Sequence, residues 1–413
     1  MSPRDLLPGD LPEGNLPATL RPPARRKPSI LLLVAMTGIG PFTMQIVIPS
    51  LPAMALALAV PYGTIQLAIT LYLIGVALAQ LLYGPLSDRF GRKPLLLAGL
   101  SIFLVGSVAA ALAPSAGFLI AARVLQAVGS CAGLVLGRAI IRDAYPREQA
   151  ASMMGYVSTA MSVAPMLAPL LGSLLEQRFG WRASMVACLA FGVPLWLAVR
   201  ARLPETLAQP APLPGLAGML GAYAQLVRLP AFRAYCGITA FSTGAFFAFA
   251  VGGPLVVVQT LGYAPTAYAA AMMLIALSWS AGTFTVARLA TRLGVPRMLR
   301  LGTRVTLVGG VLAVAVELLL PPGLWPFFLP MVVVAVGNGM TQPNAIAAAV
   351  SVRPGLAGTA SGLVGSLQMG FGALLTVLVG LTETGSGLPT ALGMLGCAIG
   401  TQVYLAKVRR LKA

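Results

Sequence analysis

Twelve apolar runs, each near the ~20 residues a helix needs to cross hydrocarbon, set what this chain can fold into. They cover roughly 29–53, 63–86, 95–113, 117–139, 151–175, 183–201, 233–260, 267–290, 300–320, 325–350, 358–381 and 388–406. Only 9% of the residues are charged, against about 25% in soluble domains. Mean hydropathy is +0.87. No core in water could bury this much apolar surface, so the chain reads as a membrane protein with no sizeable soluble domain.

The 28 Lys and Arg against 10 Asp and Glu give a net charge of +18. These cations sit in short loops, without an aromatic-interleaved basic face, so they point to membrane orientation and not to nucleic acid. Lys and Arg gather in alternate loops and in both tails; Arg178 and Arg182 are the exception. By the positive-inside rule both termini are cytoplasmic and the number of spans is even. The fold expected is all-α and integral to the membrane, with 12 helices in two pseudo-symmetric six-helix bundles. There is no His, which removes the commonest metal ligand and general base. Cys131, Cys188, Cys236 and Cys397 are far apart and read as small packing residues. No metal site, cofactor or enzymatic activity is expected.

Residues 1–28 are rich in proline and read as a disordered cytoplasmic tail. The longest interior gap, 202–232, is rich in Pro and Gly and reads as a cytoplasmic linker between halves at 29–201 and 233–406, with a short cytoplasmic tail at 407–413. An internal repeat supports this division: LSDRFGRKPLLLAG at 86–99 and LATRLGVPRMLRLG at 289–302 share Leu, Arg, Gly, Leu and Gly without gaps. Each follows the second run of its half, as in transporters built from repeats.

Several segments carry polar chemistry. GPLSDRFGRKP, Gly84–Pro94, combines Gly84 and Gly91, which permit close helix contact and a tight turn, with Asp88 among Arg89, Arg92 and Lys93. A solvated topology-setting loop explains the cations but not the spaced glycines and the acid. Arg123 and Gln126 lie in the fourth run; a cation inside a span is a functional hypothesis, with snorkelling to the interface as the alternative. The fifth run holds Pro165, Pro169 and Gly172 in APMLAPLLG, which interrupt regular hydrogen bonding and allow close packing. Asn338, Gln342 and Asn344 in the tenth run either bond between helices or face a cavity. Phe246 and Phe247 in the seventh either pack or line a cavity for apolar ligands.

The segment GPLSDRFGRKP resembles the GxLxDRxGRK loop signature of the major facilitator superfamily. RVLQAVGSCAG is similar to that family's RxxQG element, with Ala127 in place of the usual Gly, and APMLAPLLG to its antiporter signature. Together with IPSLPAM, GRAIIRDAYP and RPGLAGTASG, these make the chain from about residue 29 resemble the bicyclomycin/chloramphenicol-resistance (Bcr/CflA) branch of drug:proton antiporters. The resemblance implies alternating access in the bacterial inner membrane, with export of small amphipathic compounds by proton antiport. It implies a cytoplasmic gate in which Asp88 pairs with a neighbouring helix end, with Arg142 and Asp143 as candidate partners. The second copy has Thr291 at the place of Asp88, so its gate should be weaker.

One departure matters. Where the branch carries an acid in the first helix, this chain has Gln45, and no Asp or Glu lies in that run. Arg123 cannot serve as a proton site, because guanidinium does not deprotonate. Glu317, near the opposite face, is the peripheral candidate for coupling. A lone intramembrane cation also favours neutral or anionic amphiphiles as substrates. The rival readings are a narrow-specificity metabolite exporter or facilitator without strong proton coupling, and a transport-dead membrane sensor.

Overall fold

A computed structural model describes residues 28–145, 153, 157, 167–207, 215–353, 356–382 and 386–411. The proline-rich tail, Pro165, Glu383, the side chain of Thr291 and most of the fifth run lie outside the described residues. Among those described there is no strand, as hydrocarbon demands of a chain whose backbone groups must all be satisfied internally.

The first span is broken: α1 (Ile30–Gln45) gives way to a short turn and then α2 (Leu51–Ala57), with Pro49 and Pro52 at the interruption. There follow α3 (Tyr62–Phe90), α4 (Arg92–Ala111), α5 (Ala116–Ala144), α6 (167–179) and α7 (Arg182–Arg202). A linker helix, α8 (Leu216–Arg228), leads to α9 (Pro230–Pro254), which continues as a wider turn through Thr260. The rest is α10 (Pro265–Leu293), α11 (Val295–Leu319), α12 (Leu324–Ser351), α13 (Ala357–Thr382) and α14 (Leu388–Arg410). Among the described residues, eleven helices are long and apolar enough to cross a membrane. Of the fifth expected span, α6 is the continuous described part.

Local chemistry sets the helix ends. Ser29 and Ser115 accept from Leu32 and Phe118 N–H groups and so cap α1 and α5. At the two repeat segments the chain does the same thing twice. α3 stops at Phe90, Gly91 turns at φ 93°, and α4 begins; α10 stops at Leu293, Gly294 turns at φ 76°, and α11 begins. Only glycine adopts that conformation without strain. Matching backbones at matching sequence positions give the duplication a structural form.

Proline leaves marks inside the helices that tyrosine repairs. Pro85 in α3 has no N–H for the carbonyl of Leu81, and Tyr223 of α8 donates to that oxygen at 2.9 Å. Pro254 likewise frees the Ala250 carbonyl, which Tyr268 takes at 3.1 Å.

The halves meet along an antiparallel seam of α3 and α13. Thr70 and Thr376 share a hydrogen bond of 2.5 Å. Gln66 lies on Gly380 and Gln80 on Gly365, so closely that a Cβ at either glycine would meet the amide oxygen at 2.0 and 1.9 Å. At the end away from the α3–α4 loop the halves are also sealed elsewhere. Tyr62 donates to the Val251 carbonyl at 2.9 Å, and Gln177 reaches Thr266 at 3.4 Å. At the α3–α4 end a cleft of about 510 Å³ separates them.

Candidate functional site

The charge cluster at the mouth of the cleft is organised by Arg92, the first residue of α4. The residue is 3% exposed, and its guanidinium contacts Asp88 at 2.6 Å, Asp143 at 3.0 Å and the Ser87 hydroxyl. Arg142 reaches Asp143 at 3.5 Å. The expected direct pairing of Asp88 with Arg142 or Asp143 is therefore corrected. Asp88 is joined to Asp143 through Arg92, because the turn at Gly91 returns the chain and places Arg92 between α3 and the end of α5. Arg89 is exposed, and neither it nor Lys93 makes an ion pair among the described residues.

Lys93 contributes its backbone instead. The N–H groups of Arg92 and Lys93 donate to the two oxygens of Glu205 at 3.0 and 3.1 Å. An anion thus caps the positive end of α4, a favourable dipole contact. Glu205 comes from the segment just after α7, and sequence reasoning missed it. Its signal was a lone carboxylate, Pro-Glu-Thr, placed directly after the sixth apolar run. Gly91 is bound to this arrangement twice, since a Cβ there would lie 2.7 Å from the Glu205 carboxylate. Gly84 makes no such demand: a Cβ there would meet nothing within 4 Å. It lines the cleft instead of packing closely.

The cleft has walls from both halves. Gln80, Gly84, Arg138 and Arg142 face Ser361 and Gly362, with Tyr223 of the linker helix between. Arg138 reaches the Ser361 hydroxyl at 3.5 Å. Three arginines and one aspartate, Asp88, line it, so positive charge outweighs negative there.

Deeper in, Arg123 is fully buried, which excludes snorkelling to the interface. It donates to the Gln126 amide oxygen at 2.7 Å and to the Thr43 carbonyl at 3.2 Å, and lies 4.4 Å from the centre of the Tyr72 ring. Gln126 passes the chain of bonds on to Ser107 at 2.8 Å. Arg123 Nε and Nη2 have no hydrogen-bond partner among the described residues, and neither has Gln45 Oε1. Gln45 is 1% exposed at the broken middle of the first span. That break rests on α6: a Cβ at Gly172 would come 2.0 Å from the Ile46 carbonyl. Pro169 sits in the same helix, and Pro165 lies outside the described residues.

In the second half the polar residues mostly hold helices together. Asn338 is fully buried; it accepts from Ser242 at 2.5 Å and Thr306 at 3.3 Å, and donates to the Ser242 carbonyl at 3.0 Å. Gln342 and Gln368 both donate to Thr243, at 3.0 and 3.1 Å. Asn344 bonds within its own helix, to the Met340 carbonyl at 2.9 Å. Phe247 is buried, edge-on to Phe246 and against Gly372. As cavity candidates, Asn338, Asn344 and Phe247 are corrected to packing roles in this conformation. Glu317 lies beside Gly387 at the sealed end. All four cysteines are free and buried.

The arrangement is a pair of halves, sealed at one end and cleft at the other, with a charge cluster at the mouth and an arginine in the interior. The Major Facilitator Superfamily profile matches residues 33–377. The chain belongs to the major facilitator superfamily. It is 30% identical to multidrug resistance protein D of Escherichia coli K12 over 91% of this chain and 94% of that one. It is 32% identical to a chloramphenicol resistance protein of Pseudomonas aeruginosa over 79% and 75%. Among solved structures it is similar in fold to an inward-facing, unoccupied bacterial homologue of the human lysosomal transporter Spinster. The TM-score is 0.69 and the identity 17%, over 93% of this chain and 97% of that one. The charge cluster lies at one end of the pair of halves, and the curated relatives agree with the drug-resistance branch that the motifs resemble.

Proposed function

We propose that this protein exports small amphipathic compounds, antibiotics among them, across the bacterial inner membrane by alternating access, with neutral and anionic compounds preferred. Two six-helix halves, about 29–201 and 233–406, would rock about a linker at 202–232, with the basic end and both termini in the cytoplasm. The observation that carries the substrate reading is the distribution of charge. Arg138 and Arg142 line the cleft and Arg123 stands buried beyond it. Among the described residues, every carboxylate sits at or near a helix end: Asp88, Asp143, Glu176, Glu205 and Glu317. A desolvated cationic substrate would find no counter-charge at mid-depth. The drug-resistance relatives support export.

Protons are the coupling ion that family analogy favours, and Glu317 is the acid available for a peripheral route. With Gln45 at the middle of the first span, the coupling should be shallow. The deciding experiment is flux in proteoliposomes under imposed pH and voltage gradients, across a panel of amphiphiles of each charge. Flux of one metabolite alone would favour a narrow-specificity exporter, and no flux of any compound would favour a sensor.

A further inference from the structure

The two helix–glycine–helix junctions share a backbone but not an anion. At the start of α4, Glu205 receives the N–H groups of Arg92 and Lys93. At the start of α11, Gly294 offers no side-chain cap, Pro296 has no N–H, and no side chain caps the turn among the described residues. Beside that turn a cavity of about 230 Å³ opens between α9, α11 and α14. The last turns of α14 form its far wall, so it stands where the chain end of the second half corresponds to the Glu205 segment of the first.

The cavity is built for something negative at one end and apolar along the other. Arg300 and Arg409 line it with no carboxylate among the lining residues, and neither has an ion-pair partner among the described residues. Tyr235, 9% exposed, also lines it, and its hydroxyl has no hydrogen-bond partner among the described residues. The remaining wall is apolar: Val295 and Pro296 at the turn, then Leu299, Leu405 and Val408. Around it, Leu301 and Val403 expose apolar side chains on the outer surface of the bundle, the surface that meets hydrocarbon in a membrane-spanning chain.

We propose that this cavity binds an anionic phospholipid. The phosphate lies between Arg300 and Arg409 at the positive end of α11, within reach of the Tyr235 hydroxyl, and an acyl chain follows Leu299, Leu405 and Val408. Guanidinium groups and helix N-termini both favour phosphate, and basic pockets between membrane helices hold anionic headgroups. A free anion would leave the apolar wall wet, which is why the occupant is a lipid. The lipid then does for α11 what Glu205 does for α4.

The test is native mass spectrometry of the purified full chain titrated with phosphatidylglycerol or with phosphatidylcholine of the same acyl chains. Phosphatidylglycerol should bind more tightly. The double variant R300A/R409A should lose about tenfold or more of that affinity, as expected for two cations near a charged headgroup. Arg410→Ala, at the same end but outside the cavity, should change it less than about twofold. Leu405→Trp, which fills the apolar wall and leaves both arginines, should also weaken binding, so the proposal stays testable if the double variant folds poorly. Equal affinity for the two lipids, or unchanged affinity in both R300A/R409A and L405W, would overturn the proposal. Displacement of phosphatidylglycerol by millimolar inorganic phosphate would make this a simple anion site and would overturn it as well.

Discussion

The Tyr223 hydroxyl donates to the Leu81 carbonyl at 2.9 Å, and that oxygen is available because Pro85 cannot bond to it. The linker helix is therefore fastened to the one α3 carbonyl in that turn that the helix itself leaves open. Burial pushes the Tyr223 hydroxyl up from its ordinary value, so it stays a proton donor throughout the physiological range.

Tyr223→Phe should free α8 while leaving its packing intact. A lost hydrogen bond to a partly buried carbonyl costs about 1 kcal/mol. Hydrogen exchange over residues 216–228 should accelerate by about fivefold, the same energy expressed as a rate ratio. Unchanged protection would show that apolar contacts alone hold the linker helix.

The charge cluster ranks its own variants. Asp88 is 48% exposed and its pair with Arg92 is worth at most about 1 kcal/mol after solvent screening. Arg92 is buried and carries Asp143 as well, so Arg92→Ala leaves Asp143 with only the exposed, 3.5 Å contact to Arg142. Transport of a drug at matched expression should fall more for Arg92→Ala and Asp143→Asn than for Asp88→Asn. An effect of Asp88→Asn equal to that of Arg92→Ala would place the gate in the Asp88 carboxylate itself.

Much of this was legible before any coordinates. The apolar runs specify their own helices because period, length and loop charge agree. Gly91 and Gly294 announce their turns through the repeat. What sequence could not carry is partnership across the fold. Asp88 and Arg142 look complementary as a list of charges, and only the return of the chain at Gly91 shows that Arg92 takes Asp88 and joins it to Asp143. Glu205 was invisible for the same reason, since its partners are backbone N–H groups distant in sequence. Asn338 could bond or face a cavity until Ser242 and Thr306 were seen around it.

Arg123→Met separates stability from function. The guanidinium is fully buried with two nitrogens unpartnered among the described residues, a costly state that a similar-sized apolar side chain relieves. The variant should melt within a few degrees of the wild type, yet transport little. A large fall in melting temperature would make Arg123 a structural element held by Gln126 and Tyr72.

Substrate charge and coupling can be read in one vesicle assay. Neutral or anionic amphiphiles should be moved in preference to a permanent quaternary cation, whose efficient efflux would contradict the reading of Arg123. Flux should respond weakly to an imposed pH difference. Gln45→Asp should steepen the response, because a carboxyl there can carry a proton that the amide cannot. A steep native response unchanged by that substitution would remove the first span from coupling.

The α3–α13 seam has a mechanical consequence. It is closed from Gln66 on Gly380 through the Thr70–Thr376 bond to Gln80 on Gly365, and the cleft begins beyond Gln80. A line of contact that persists at both depths behaves as an axle. In the rocking proposed above, the halves would swing about it without separating there, with the least displacement at the threonine pair. Bulk added at Gly365 or Gly380 would push the axle off its bearing and spoil both end states together, whereas a change at the mouth of the cleft would bias one state against the other.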